Sequence, residues 1–135
     1  MECAITESEN GIEKFGPCLK APRETAAVLR TMGMDVCGLS NNHIFDFGAE
    51  GARDTVAALR EAGLAYTGFG KNYEDSRRDY IFEKDGLRVA IIAVCEHEFS
   101  YGLIPVYEEG WSKVIKSAAL LNKPVTMIVE NNHEG

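Results

Sequence analysis

Two stretches of the chain place apolar residues at helical spacing. The first runs from Arg23 to Met32, follows a proline and precedes a glycine, and these flanking residues are typical of a helix start and stop. We expect a helix there, with Val28, Leu29 and Met32 facing the core.

The second helical stretch runs from about Ala49 to Ala62 and is also closed by a glycine. Ala52, Val56 and Leu59 recur at spacings of four and three, which places them on one face. This pattern predicts a second helix whose apolar side packs on a sheet.

Short apolar runs alternate with these helices and have the length of buried strands. They are Asp35–Ser40, a strand starting at Ala65–Thr67, Tyr80–Glu83, Leu87–Val94 and Val125–Val129. An Asp-Gly pair between the third and fourth runs favours a hairpin, and the fourth run is apolar enough for a central strand. This alternation of strands and helices predicts an α/β fold of right-handed βαβ units with a mostly parallel sheet.

The first 20 residues show no sustained period and contain two glycines and a proline. Such a segment is typical of a loop. We expect it to border a site rather than to form core.

The 135 residues can bury one modest core, so a single domain is expected. Lys and Arg number 14 against 21 Asp and Glu, and the formal charge of −7 disfavours a nucleic-acid partner. No apolar stretch approaches the length of a membrane span. The four cysteines form no CxxC pair, which favours scattered thiols in a reducing compartment.

Three polar clusters each follow a predicted strand and together contain all three histidines of the chain. They are Asn41-Asn42-His43 with Asp46, Glu96-His97-Glu98, and Glu130 to Glu134, which includes His133. Ligands gather at the carboxyl ends of parallel strands. Carboxylate, amide and imidazole groups suit a divalent cation and acid–base chemistry.

Each cluster also has a plainer interpretation. Asn41-Asn42-His43 fits a turn that caps the following helix, because Asn tolerates left-handed backbone angles and satisfies free amides. Glu96-His97-Glu98 equally fits a solvated loop. The residues alone leave both alternatives open.

Four segments carry a resemblance to a known family. They are Leu39–Gly48, with NNH, D and G at the family spacing, Ala65–Gly70, Met1–Thr6 and Cys95–Phe99. Together they resemble the CapA-like poly-γ-glutamate capsule synthesis family over nearly the whole chain. These proteins are similar in fold to calcineurin-like metallophosphoesterases, so the resemblance implies part of a four-layer αββα domain.

The resemblance also implies roles for single residues. Asn42 matches a metal ligand, and His43 matches the acid that protonates the leaving oxygen. Asp46 is expected to orient or acidify His43. Glu2 matches an acidic residue that is a metal ligand or supports one. The last cluster resembles a segment reading HGGHE and adds His133 as a ligand, although Glu130 stands where a His is expected.

Four further residues are expected to bind substrate: Asn41, Glu96, His97 and Glu134. The implied cofactor is a divalent metal, with Mn, Zn, Fe and Mg all possible. The implied substrate is a phosphoester or an anionic polymer.

The resemblance leads us to expect that residues 1–135 form a single partial domain that lacks the family's first strand and its C-terminal motifs. The expected function is capsule or poly-γ-glutamate biosynthesis through a metal-dependent phosphoesterase-like site. A non-catalytic polyanion-binding or assembly factor, or an inactive truncated piece, are the alternatives. The compartment stays open between the cytoplasm, expected for the chain as given, and the cell envelope for its parent protein.

Overall fold

The structure is a computed structural model and describes residues 1–14 and 16–93. Within these ranges its elements are β1 (Ala4–Ile5), β2 (Lys20–Ala21), α1 (Thr25–Thr31), β3 (Val36–Gly38), α2 (Gly48–Glu61), β4 (Ala65–Thr67), α3 (Tyr73–Ser76), β5 (Tyr80–Lys84) and β6 (Leu87–Ile91). The predicted strand at 125–129 and the polar clusters at 96–98 and 130–134 lie outside the described residues. In the described part, no helix is both long and apolar enough to cross a membrane.

The strands form three pairs in the described part of the chain. β1 and β2 are parallel, β3 and β4 are parallel, and β5 and β6 are antiparallel. Val36 pairs with Ala65 and Gly38 with Thr67, so β3, α2 and β4 form the predicted βαβ unit. The α/β class with mostly parallel pairing is therefore confirmed, although the strands lie in separate two-stranded sheets.

Helix α2 is the central element of the core. Its predicted inner face is confirmed, because Ala52 and Leu59 have no exposed surface and Val56 is 8% exposed. It packs against β1 and β4. Burying a leucine side chain contributes roughly 1.5–3 kcal/mol, so a face of this kind fixes the helix on the strands.

The expectation that residues 1–20 stay out of the core is wrong for β1. Ala4 and Ile5 are buried, and the Ile5 amide donates to Thr55 Oγ1 on α2 at 2.8 Å. β1 also pairs with β2, which the sequence did not predict. A strand of two residues is too short to show an alternating pattern, so the apolar pair gave no signal.

The predicted inner face of α1 is wrong at two of its three positions. Val28 is 55% and Met32 68% exposed, whereas Leu29 packs partly against the core and Ala26 is buried. The helix spans seven residues and contacts the core along one narrow stripe through Ala26 and Leu29. Val28 and Met32 are four residues apart, so they share a different face.

The predicted hairpin is confirmed, with Asp85 and Gly86 both at positive φ, as a tight two-residue turn requires. The expectation of a central β6 is not met in the described residues, where β5 is its one partner strand. Leu87 is 67% exposed, and burial begins only at Ala90 and continues at Ile92. The first half of β6 therefore projects with the turn, which an apolar sequence alone does not reveal.

Candidate active site

The segment after β3 is fixed by contacts to the ends of the neighbouring strands. The Leu39 amide donates to Thr67 O at 2.9 Å, which extends the pairing of β3 with β4. The buried Ser40 hydroxyl lies 2.7 Å from Gly68 O and 3.0 Å from Ala93 O, and it can donate to either carbonyl. The polar turn that follows is thereby held at the carboxyl end of β3.

Asn41 shapes this turn from inside the protein. Its side chain is 1% exposed, its Oδ1 accepts from the His43 amide at 2.9 Å, and its Nδ2 donates to Met1 O at 2.8 Å. The first of these bonds closes an Asx turn. The turn interpretation is therefore correct, but the helix-capping part is wrong, because α2 begins after Phe47 with no side-chain cap.

His43 and Asp46 contact each other directly. Their Nδ1 and Oδ2 atoms are 2.7 Å apart, and the Asp46 amide donates to His43 O at 3.1 Å. An ionised carboxylate only accepts hydrogen bonds, so Nδ1 donates to Oδ2 in the forms of His43 that carry a proton on this nitrogen. Nε2 is then the ring nitrogen left for a reacting group.

Lys14 joins this pair and was missed by the sequence analysis. Its Nζ lies 2.5 Å from Asp46 Oδ1 and 3.2 Å from His43 Nδ1. The Lys14 side chain is 10% exposed and that of Asp46 is fully buried. No periodicity or motif marks Lys14, because it lies in the irregular loop between β1 and β2.

Two backbone amides of the same loop also bond to Asp46. Leu19 N donates to Oδ2 at 2.6 Å, and Ile12 N donates to the Asp46 carbonyl oxygen at 2.8 Å. Burying a carboxylate is costly unless it is paired and hydrogen-bonded. Asp46 meets both conditions, and it ties the β1–β2 loop to the turn that carries His43.

Two further predicted site residues, Asn42 and Glu2, lie in the described part of the chain. Asn42 is half-buried beside His43 in the turn, and Glu2 is exposed next to Met1, whose carbonyl accepts from Asn41. Among residues 1–14 and 16–93, no three His, Cys, Asp or Glu side chains converge as a metal-binding group. Glu96, His97, His133 and Glu134 lie outside the described residues.

Burial raises the pKa of the Cys3 thiol, and the nearby negative charge of Asp46 raises it further. Cys3, Cys18 and Cys37 are all free thiols. Cys37 is buried in the core, while Cys3 and Cys18 are half-buried on the side of the molecule that includes Asp46 and the β1–β2 loop.

The fold and the site first define a class of protein: an α/β chain in which a partly exposed histidine pairs with a fully buried aspartate after a parallel strand. The profile of the family described as "Bacterial capsule synthesis protein PGA_cap" matches residues 1–127. The chain belongs to this family, which confirms the CapA-like resemblance. The family has a metallophosphoesterase-like fold.

Several relatives share substantial identity with the chain. A capsule biosynthesis protein CapA of Bacillus anthracis is 34% identical over 105 residues, covering 78% of this chain and 25% of that protein. A probable polyglutamine synthesis accessory protein of Mycobacterium tuberculosis is 36% identical over 78 residues, covering 58% and 20%. A PGA biosynthesis protein CapA of Bacillus subtilis is 24% identical over 126 residues, covering 87% and 32%. The matched part is thus a fifth to a third of each relative's length.

Proposed function

We propose that this chain carries a metal-dependent phosphoesterase-like site that serves capsule or poly-γ-glutamate biosynthesis. The observation that carries the proposal is the 2.7 Å contact between His43 Nδ1 and the fully buried Asp46 carboxylate. The biosynthetic context is supported by membership of the PGA_cap family and by relatives named for capsule biosynthesis and polyglutamine synthesis.

In this proposal His43 is the general acid. Asp46 orients the ring through Nδ1, and the imidazolium form, which carries a proton on both nitrogens, would donate its Nε2 proton to the leaving oxygen of a phosphoester. The His43 side chain is 15% exposed, which leaves part of the ring accessible to a substrate. A positioned acid of this kind accelerates a reaction typically by about 10²–10⁴-fold.

Asn42 and Glu2 are the described residues that would hold a divalent cation, with His133 as a further proposed ligand. Amide and carboxylate oxygens are ligand types that such cations accept, and Asn42 lies next to His43 in the turn. Asp46 is not a candidate ligand, because Lys14, His43 and Leu19 already bond to its two oxygens. When bound, the cation would stabilise charge on the phosphoryl oxygens.

The proposed substrate is a phosphoester or an anionic polymer, with Glu96, His97 and Glu134 as proposed contacts. Asn41 was expected to bind substrate as well. Both ends of its buried side chain bond within the protein, so we propose that it acts through the position of His43.

The test combines metal content with turnover of phosphomonoester and phosphodiester substrates in the presence of Mn. Wild type, His43→Gln and Asn42→Ala are compared in this chain and in a form as long as its relatives. We expect His43→Gln to lower kcat by about 10²–10⁴-fold with metal content unchanged. Asn42→Ala is expected to lower metal content.

Bound metal without turnover in either form would contradict the enzyme proposal and favour the polyanion-binding or assembly alternative. Turnover that survives His43→Gln would remove His43 as the acid. Asp35 is exposed and lies at the amino end of β3, whereas the turn follows the carboxyl end, so Asp35→Asn serves as the control variant and should leave both readouts unchanged.

A further inference from the structure

Within the described part of the chain, the Lys14 ammonium contacts both members of the His–Asp pair. It comes from the β1–β2 loop, whereas His43 and Asp46 belong to the turn after β3. The Asp46 side chain is fully buried, that of Lys14 is 10% exposed and that of His43 is 15% exposed. A charge at such a position is held by the fold and is not a solvated surface group.

We propose that Lys14 is a positioning residue for His43, acting through the Asp46 carboxylate. The expected effect of Lys14 on catalysis rests on the proposed function, whereas its positioning of Asp46 and His43 rests on the geometry alone.

The two oxygens of Asp46 have different partners. Oδ1 faces the Lys14 ammonium at 2.5 Å, while Oδ2 accepts from Leu19 N at 2.6 Å and contacts His43 Nδ1 at 2.7 Å. This division fixes the rotation of the carboxylate about Cβ–Cγ. Oδ2 is thereby presented to the imidazole as the acceptor for an Nδ1 proton, and this hydrogen bond sets the orientation of the ring.

Removing the ammonium changes both the charge and the orientation of Asp46. The carboxylate would stay buried with its ionic partner gone, which is strongly unfavourable. Oδ1 would also lose the bond that distinguishes it from Oδ2. A carboxylate that turns toward new partners presents a different acceptor to Nδ1, so the imidazole ring loses its fixed orientation.

A direct role for Lys14 in holding a substrate anion predicts a different kinetic result. Its ammonium lies 2.5 Å from a buried carboxylate, so its charge is already neutralised locally. A positioning role therefore predicts a lower kcat with KM unchanged, because the contact acts on the proton donor. A substrate-holding role predicts a higher KM.

The experiment compares wild type, Lys14→Met and Lys14→Arg. Lys84→Met is the control, because Lys84 is an exposed lysine at the end of β5. Two-dimensional ¹H–¹⁵N NMR of the histidine side chains detects an Nδ1 proton that a hydrogen bond protects from exchange with water, and His43→Gln assigns the His43 signal. Steady-state kinetics then separates kcat from KM.

We expect wild type and Lys84→Met to show an exchange-protected Nδ1 proton on His43. Lys14→Met should lose this protected signal and show at least a tenfold lower kcat with KM within twofold. Lys14→Arg should recover most of both. If Lys14→Met does not fold, Lys14→Gln keeps an N–H donor of similar reach without the charge and gives the same comparison.

Loss of neither the protected His43 Nδ1 signal nor kcat in Lys14→Met overturns the inference, and so does a raised KM alone. The NMR readout does not depend on turnover. A wild type that turns over no phosphoester but whose protected His43 Nδ1 signal depends on Lys14 would overturn the proposed function and retain the positioning. Turnover that needs His43 but not Lys14 would overturn the positioning alone.

Discussion

Asp46 and His43 are joined by two hydrogen bonds across three residues of chain. Asp46 Oδ2 accepts from His43 Nδ1 at 2.7 Å, and the Asp46 amide donates to the His43 carbonyl at 3.1 Å. The backbone bond folds the turn so that the two side chains meet. The contact between His43 and Asp46 is therefore fixed within the turn itself. Lys14 and Leu19 of the β1–β2 loop add further hydrogen bonds to the Asp46 carboxylate.

Asp46→Asn should lower the stability of the chain strongly. The substitution removes the charge that compensates Lys14 while the lysine stays mostly buried, and breaking a buried pair in this way costs about 3–5 kcal/mol. Urea unfolding followed by circular dichroism measures the loss. Asp35→Asn is the control, because its pair with Arg30 is exposed and should contribute less than about 1 kcal/mol. Equal effects of the two variants would contradict the role of burial.

Asn41→Ala and Asn42→Ala should separate a structural from a ligand role. Asn41→Ala leaves the His43 amide and the Met1 carbonyl without their partner, which costs about 1–3 kcal/mol for a buried group. Asn42 is half-buried, so Asn42→Ala should cost less stability and should lower metal content. Denaturant unfolding and metal analysis on both variants check this. Loss of metal in Asn41→Ala alone would reverse the two roles.

The sequence predicted the elements whose apolar residues repeat over enough positions. Helix α2 shows this best, since Ala52, Val56 and Leu59 repeat over two turns and are all buried. Helix α1 spans only seven residues, so its apolar positions repeat too few times to define the buried face. Val28 was therefore assigned to the core although it is exposed. β1 offered only Ala4 and Ile5, too few residues for any period.

The site was predictable where it is local in sequence. His43 and Asp46 lie three residues apart in one turn, and the family motif covers both. Lys14 reaches them from about 30 residues away in an irregular loop, and only the tertiary pairing of β1 with β2 places it there. The sequence of this irregular loop has no periodicity, so it does not reveal that Lys14 lies close to His43 and Asp46.

Cys3 should react with iodoacetamide only at higher pH than an ordinary thiol. Burial disfavours its thiolate and raises its pKa, so the reactive fraction at pH 8 is smaller in the folded chain than in urea. Alkylation followed by peptide mass spectrometry across pH 7 to 11 measures this.

The same shift in the Cys3 pKa links pH to stability. The neutral thiol is favoured by folding, so this contribution is fully present below the ordinary thiol pKa of about 8.5. It is lost as pH rises through the higher pKa of the folded state. Cys3→Ala should therefore show a smaller loss of stability than wild type on going from pH 8 to pH 11. Identical alkylation profiles in folded and unfolded chain would contradict the burial effect.

Gly51→Ala should destabilise the chain although alanine is the better helix former. A Cβ at Gly51 would lie 2.6 Å from Phe47 Cβ, so Phe47 and the first turn of α2 must shift, whereas the 3.5 Å to Thr6 Cγ2 is an ordinary contact. Overpacking of this kind costs about 1–3 kcal/mol, against a helix gain of roughly 0.5–1 kcal/mol. The net loss should lower Tm by several degrees.

Gly63→Ala is the matched control for this substitution. An added Cβ meets nothing within 4 Å there, but φ is +71°, so the cost comes from backbone strain at the end of α2. Phe47 directly follows Asp46, so displacement of Phe47 by Gly51→Ala should also move the His43 side-chain NMR signals. Gly63→Ala should lower Tm and leave those signals in place. A shift of the His43 signals in both variants, or in neither, would mean that a displacement at the start of α2 does not reach the site through Phe47.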